Sequence, residues 1–399
     1  MALSLNKARV SPIAIDFGAD TVKLLQVTPG KPAHLTAAAA APLLAAARQD
    51  PAARASALGS TLKALLKQAP FKGRRVICSI PAFQTLIQHL ELPGGDAAKL
   101  DEQVHDQLRQ RLHVEPRNMV VRHFRVGDEK QAPGRRDVVC VAASKQGVMQ
   151  YIDLCRQCKL EVVGMHAEPL ALLEAIRGEN ADDPSVRAVI DIGAATTKLL
   201  VVDRGRLAFA KSIHAGGDQV TRQLAADQGL EFDEARRLRV GRTEDAAVAQ
   251  AEKSQATASL SAAGLATLRP VEEAEDDLGD GPLPATGTAA TAVPTTGNAA
   301  ASSSEMVECL IDELRLSLRY YHDRCPDRPV DKLVFVGGEA NDTRACMKIA
   351  RSLHVAAQLG DPLGNVLHVG NNHAAGVNLD HPQPAWAVAR GLTFCEANV

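Results

Sequence analysis

The chain has little aromatic material: Phe, Trp and Tyr make up 3% of its 399 residues, and only one residue is Trp. With few rings to stack on bases and a net charge of −2, it lacks the composition of a nucleic-acid binder, and none is expected as a partner. It also lacks the run of about 20 apolar residues that a bilayer span requires. The alanine-rich stretch at 37–47 comes nearest, and Pro42 interrupts it. No secretory leader is visible, so membrane contact is expected to run only through a partner. The eight cysteines form no ordered framework. Cys155-x-x-Cys158 has no second pair to complete a zinc site, and we expect reduced thiols in a cytoplasmic setting.

What the chain does have is a repeat. Residues 15–30 read IDFGADTVKLLQVTPG and residues 190–205 read IDIGAATTKLLVVDRG, identical at 10 of 16 positions without a gap. Each copy reads as strand, glycine turn and return strand. Gly18 with Ala19, and Gly193 in the second copy, let backbone N–H groups approach an anion closely. Thr21, Thr196 and Thr197 add hydroxyl donors, and Lys23 and Lys198 add cations suited to phosphate. Asp16 and Asp191 suit Mg²⁺ held through its waters. Two such hairpins facing one another would grip a polyphosphate from both sides.

A third piece is Val334-Phe335-Val336-Gly337-Gly338-Glu339, a strand entering a Gly-Gly turn. Two phosphate hairpins followed by this turn resemble the actin-like ATPase superfamily. Within it the chain most resembles the PilM family of type IV pilus assembly. Further matching stretches are SIPAFQTLIQHLELP, VVCVAASKQGVMQYIDLC, the step Glu168-Pro169, ELRLSLRYY at 313–321 and the closing Ala389-Arg390-Gly391-Leu392. Together these cover nearly everything except 243–304.

The resemblance implies an α/β fold of two lobes with an inserted α+β subdomain in the first, similar to FtsA. Residues 1–76 and 145–185 would form the first lobe and 77–144 the insertion, read as strand-strand-helix-strand-strand. Residues 186–230 and 333–399 would form the second lobe, with the last helix returning to the first. Residues 231–332 would form a fourth subdomain. Its stretch 243–304, rich in Ala, Thr, Ser, Gly and Pro, is expected to be largely disordered, with Ser304 capping the helix that follows.

ATP and Mg²⁺ are the implied cofactors. Glu168 and Asp191 would position an attacking water, and Asp16 and Asp191 would hold the metal. Gly216, Gly217, Glu234, Arg239, Gly337, Gly338, Glu339 and Asn341 would contact the nucleotide. The implied partner is the N-terminal cytoplasmic peptide of a PilN-like inner-membrane protein, docked on the first lobe, which would place the chain at the inner face of that membrane. Pilus motor components and further copies of the chain are left open as contacts, and slow ATP hydrolysis is left open as an activity. A nucleotide-free scaffold and a small-molecule kinase of the same fold are the competing readings.

The sequence departs from the resemblance at five places, one of them His166, where an acid is common. Asp20 stands where a small hydroxyl residue is usual, and Ala194-Ala195 thin the second turn of hydroxyls. Arg236 and Arg237 stand where acids are common, and Glu339 where a small residue is usual.

Overall fold

The computed structural model describes residues 10–44, 46–94, 99–112, 115–126, 135–179, 183–240, 267–268, 297–367 and 377–398. The first half supplies Ile13–Phe17 (β1), Thr21–Thr28 (β2), Ala33–Pro42 (β3), Ala46–Gln49 (α1), Pro51–Gln68 (α2), Arg75–Ile80 (β4), Thr85–Pro93 (β5), Leu100–Leu112 (α3), Met119–Val126 (β6), Arg135–Ser144 (β7), Lys145–Gln157 (α4), Glu161–Ala167 (β8) and Glu168–Glu179 (α5). The second half supplies Val186–Ile192 (β9), Thr197–Asp203 (β10), Arg206–Ile213 (β11), Gly217–Gln228 (α6), a helix over 232–240 (α7), Thr267–Leu268 (β12), Gly297–Arg324 (α8), Lys332–Val336 (β13), Thr343–Leu353 (α9), Ala357–Leu359 (β14), Val366–Leu367 (β15) and Ala387–Leu392 (α10).

The repeat in sequence is a repeat in wiring. One six-stranded sheet runs β15-β3-β2-β1-β4-β8 and the other β11-β10-β9-β13-β14-β12. In each, an antiparallel three-strand meander is followed by parallel strands, so β1, β2, β3, β4 and β8 correspond to β9, β10, β11, β13 and β14. The central strands β1 and β9 are buried along their whole length, and apart from the buried Arg187 of β9 their sequences are accordingly apolar without alternation until the aspartate.

Helix α2 starts where the sequence says it should. Asp50 accepts from the Ala53 N–H at 2.6 Å, with Pro51 at the first helical position. Its Leu58, Leu62 and Leu65 are buried in one cluster with Ile13, Ile15 and Leu24 of the first sheet. Ala39 of the alanine-rich β3 joins that cluster.

The inserted unit is smaller than the sequence reading made it. Strand β4, assigned there to the insertion, pairs with β1 and β8 inside the first sheet. The insertion is therefore the three-stranded sheet β5-β7-β6 with α3 packed on it through Leu100, Val104 and Leu108. Its far side meets the second lobe. His89 stacks on Phe209 with ring centres 4.6 Å apart, and its Nε2 lies 3.0 Å from the Ala210 carbonyl. Arg324 of α8 donates to Asp137 of β7 at 2.8 Å.

Two further boundaries differ. Helix α8 begins at Gly297, so Ser304 lies within it rather than capping it. The small residues before Ser304 show no apolar period, but alanine favours helix without one. Within the stretch expected to be disordered, 267–268 forms the short strand β12 against β14, and 297–304 is helical. The rest of 243–304 lies outside the described residues. Strand β15 returns to pair with β3, and α10 packs on α5, where Gly391 admits the Ala171 carbonyl within clash distance of any Cβ. The chain thus returns to the first lobe before its last helix.

Candidate functional site

The two hairpins have the same register. Asp16 pairs with Lys23 across β1 and β2, and Asp191 with Lys198 across β9 and β10. Residues directly opposite on neighbouring strands share a face, so each copy sets a lysine beside its own aspartate. Each turn needs its glycine: a Cβ on Gly18 would stand 2.6 Å from the Thr21 carbonyl oxygen, and one on Gly193 would stand 2.9 Å from that of Thr196. Strand β13 lies parallel to β9 with Val336 beside Asp191, which delivers the Gly337 turn to the same end. Gly337 has φ 95°, and a Cβ there would collide with Asp191 and the Ile192 carbonyl.

Both turns open onto one cleft. Asp16, Gly18, Ala19, Thr21 and Lys23 line it from the first lobe, and Asp191, Gly193, Thr196 and Lys198 from the second. Glu168, Gly337, Gly338 and Glu339 complete the walls. The cavity measures about 90 Å³, below the few hundred Å³ of common small-ligand pockets.

The second hairpin holds a buried charge cluster. Lys198 Nζ lies 2.9 Å from Glu168 Oε2 and 2.9 Å from Asp191 Oδ2. All three side chains are 5–6% exposed. Burial pushes the Glu168 carboxyl up, with Lys198 opposing it. Burial would lower the Lys198 ammonium, but Asp191 and Glu168 together raise it, so it stays charged. Glu168 opens α5, yet its carboxylate serves Lys198. In the first hairpin Lys23 Nζ reaches Asp16 at 3.4 Å, and Ser79 donates to the other Asp16 oxygen at 3.1 Å.

Other expected contacts fall elsewhere. Thr197 is buried and donates to the Ala215 carbonyl at 2.8 Å, a structural bond under the second turn. Gly216 and Gly217 bring the start of α6 against that turn, where the Gly217 and Asp218 N–H groups donate to the Gly193 and Ala194 carbonyls at 3.1 and 2.8 Å. Those helix-terminal donors are therefore committed within the protein. Asp218 does not cap the helix; its carboxylate meets Arg48. Glu234 is exposed and does not line the cleft. On a helix turning about 100° per residue it sits some 140° round from Arg239, which bonds Thr221 at 3.0 Å and Glu339 and is likewise outside the cleft lining. Asn341 ends the turn after Gly338, half-buried and outside the cleft lining.

Sequence reasoning missed Arg48, Arg54 and Ser79. Arg54 is buried and donates to the Gly18 and Ala19 carbonyls at 2.9 and 3.1 Å, cradling the first turn. A signal existed, since Arg54 continues the stripe of Leu58 and Leu62 at spacing four. Arg48 and Ser79 carried none.

For an Mg-nucleotide the backbone cradle fits: three glycine turns converge on one cleft, lined by the carboxylates of Asp16, Asp20, Glu168, Asp191 and Glu339 and the ammonium groups of Lys23 and Lys198. Among the described residues no group of three or more His, Cys, Asp or Glu could hold a metal by itself.

Two wired-alike lobes, duplicated aspartate–glycine–lysine hairpins and a Gly-Gly turn across one cleft define an actin-like ATPase fold. The model of the type IV pilus assembly protein PilM family matches residues 14–244, and that of the cell division protein FtsA matches residues 188–372. The chain belongs to the PilM family. Among solved structures, a PilM–PilN type IV pilus biogenesis complex is similar at a TM-score of 0.70 and 18% identity, covering 96% of this chain and 98% of that one. The ethanolamine utilization protein EutJ from Carboxydothermus hydrogenoformans is similar at a TM-score of 0.51 and 13% identity, covering 97% and 89%.

Proposed function

We propose that the chain is a cytoplasmic scaffold of a pilus assembly machine that holds an N-terminal peptide of a PilN-like inner-membrane protein. The observation that carries this is a groove of about 540 Å³ between the inserted sheet and the first lobe. Phe124 and Val120 of β6 line one wall, Met165 of β8 and Leu170 and Leu173 of α5 the other. Strand β8 is the edge of its sheet and already accepts extended backbone. The Asn398 N–H donates to the Val163 carbonyl at 2.9 Å, and the Asn398 side chain receives the Met165 N–H at 2.9 Å. A trough with apolar walls, rimmed by Arg122, Glu174 and Arg177, suits a peptide that carries both apolar and charged side chains, the edge of β8 being taken by the chain's own Asn398. Among the described residues no helix is long and apolar enough to cross a membrane, so the partner would supply the tether.

The groove and the cleft share a moving part. The insertion forms one wall of the groove and also contacts β11 and α8 of the second lobe. A ligand that alters lobe closure therefore alters the groove, provided it binds the two closures unequally. An Mg-nucleotide would supply an anion bridging both turns. Asp16 and Asp191 would hold its metal through water, and Lys23 and Lys198 would face its phosphates. Glu168 and Asp191 are the carboxylates at hand to position a water, but Lys198 binds both, so we expect hydrolysis to be slow.

The test is capture of synthetic N-terminal peptides of inner-membrane proteins encoded beside this chain. Binding that is lost in a folded Leu170→Arg supports the scaffold. Capture of none by the folded wild type overturns it.

A further inference from the structure

Asp20 and Glu339 line the cleft, and behind them stand three arginines and a third carboxylate, Asp218; the six are one another's partners. Asp20 in the first turn accepts from Arg48 of α1 at 2.7 Å and from Arg236 of α7, whose Nε lies at 2.6 Å. Arg48 also pairs with Asp218 at the start of α6. Arg239 of α7 grips Glu339 with both terminal nitrogens, one at 2.9 Å. The Glu339 carboxylate lies where a Cβ on Gly217 would collide with it, over the first residue of α6. Asp20 and Arg48 belong to the first lobe, and Asp218, Arg236, Arg239 and Glu339 to the second, so Asp20–Arg236 and Arg48–Asp218 cross between lobes and Arg239–Glu339 does not. The side chains of these six residues are 8–18% exposed where they pair, so solvent screens them only partly.

We propose that Asp20 and Glu339 are built-in anions of this cleft: Asp20 ties the lobes together through Arg236, Glu339 occupies Arg239 within the second lobe, and a nucleoside triphosphate reaches those arginines only by displacing both carboxylates. The inference rests on the nucleotide part of the preceding reading and deepens it. Burial would push the Asp20 carboxyl up, but Arg236 and Arg48 hold it below the usual range, so it is ionised at neutral pH. Three cations against three anions leave the mouth neutral, and a polyanion gains little on entering. Removing two anions leaves it two charges positive.

The experiment is isothermal titration of the full chain with Mg-ATP and, separately, with Mg-tripolyphosphate. The wild type should bind both weakly. D20S/E339A should bind both at least about tenfold more tightly, as expected for unlike charge replacing like charge at contact distance. D20N/E339Q keeps side-chain shape and should gain in the same direction, which covers the case in which D20S/E339A fails to fold. R236A/R239A should show no gain. Small-angle scattering without nucleotide should find the wild type closed and the carboxylate variants opened, reclosing on tripolyphosphate. Affinities in the folded carboxylate variants equal to or below that of the wild type overturn the proposal, as does unchanged scattering. Peptide capture is read on the wild type without nucleotide, so failure here is distinct from failure of the scaffold reading.

Discussion

The two hairpins are alike in sequence and register, yet their lysines live differently. Lys198 sits between two carboxylates at 2.9 Å, one of them Glu168 from the connector that opens α5. Lys23 meets Asp16 alone at 3.4 Å and keeps 14% of its side chain in solvent. The difference comes from what lies behind each hairpin. Behind the second stands a buried acid from the other lobe, and behind the first a serine, Ser79, which satisfies Asp16 without adding charge. A repeated strand-turn-strand code therefore fixes backbone and pairing, while the neighbour decides whether the site is a structural charge cluster or an available cation. Lys198 holds the lobes, and Lys23 is the lysine better placed to meet a ligand.

The largest expected effect tests the buried member. Lys198→Met leaves Glu168 and Asp191 facing each other in a dry site, and should cost about 3–5 kcal/mol in urea unfolding. A loss under 1 kcal/mol would mean that solvent enters the cluster and that the contrast drawn here is false. Next come the turn glycines. Gly18→Ala and Gly193→Ala each drive a Cβ into a carbonyl oxygen, and both should cost about 1–3 kcal/mol by melting. Near-equal losses support a common backbone; a large gap would show that the two turns differ in more than charge.

Much of this arrangement could be read before any fold was known. The register of Asp16 with Lys23 and of Asp191 with Lys198 follows from hairpin spacing, and Gly337 from the strand before it. The placement of Arg48 and Arg236 could not be read. They reach Asp20 and Asp218 across more than a hundred residues, and no local pattern reports such a meeting. Asp20, Arg236 and Glu339 each looked like an isolated departure in the sequence. In space Asp20 pairs with Arg236 and Glu339 with Arg239, which explains an acid in a phosphate turn that would otherwise repel its ligand. Strand β4 was misassigned because a strand buried on both faces carries no alternation to say which sheet it joins. Glu234 was misplaced because one position in a helix cannot be aimed without knowing the rotation of the rest.

A smaller effect separates the hairpins by pH. Glu168 has a folded pKa raised above its ordinary value of 4.5, so its contribution is full below that value and is lost as pH rises through the folded pKa. Asp20 has a folded pKa lowered below 3.8, so its contribution is present above 3.8 and is lost as pH falls through the folded pKa. Stability should therefore rise from neutrality toward pH 4.5 through Glu168 and fall below 3.8 through Asp20. In chemical denaturation across pH, Glu168→Gln should flatten the first slope and Asp20→Asn the second. Exchanged behaviour would show that the charges are assigned to the wrong hairpins.

The smallest effect is the one that decides what Lys23 is for. Its ion pair is long and partly solvated, and Asp16 keeps its bond from Ser79 when the lysine is gone. Lys23→Met should therefore cost about 1 kcal/mol or less in urea unfolding, against the several expected for Lys198→Met. A structural lysine would show its loss in stability. A ligand-facing one would show it in titration, so the same variant in a D20S/E339A background should give back much of the Mg-tripolyphosphate affinity gained there while its melting temperature barely moves. Were Lys23→Met instead to unfold the protein as Lys198→Met does, the two hairpins would be equivalent supports, and no cation in the first turn would be left to receive a phosphate.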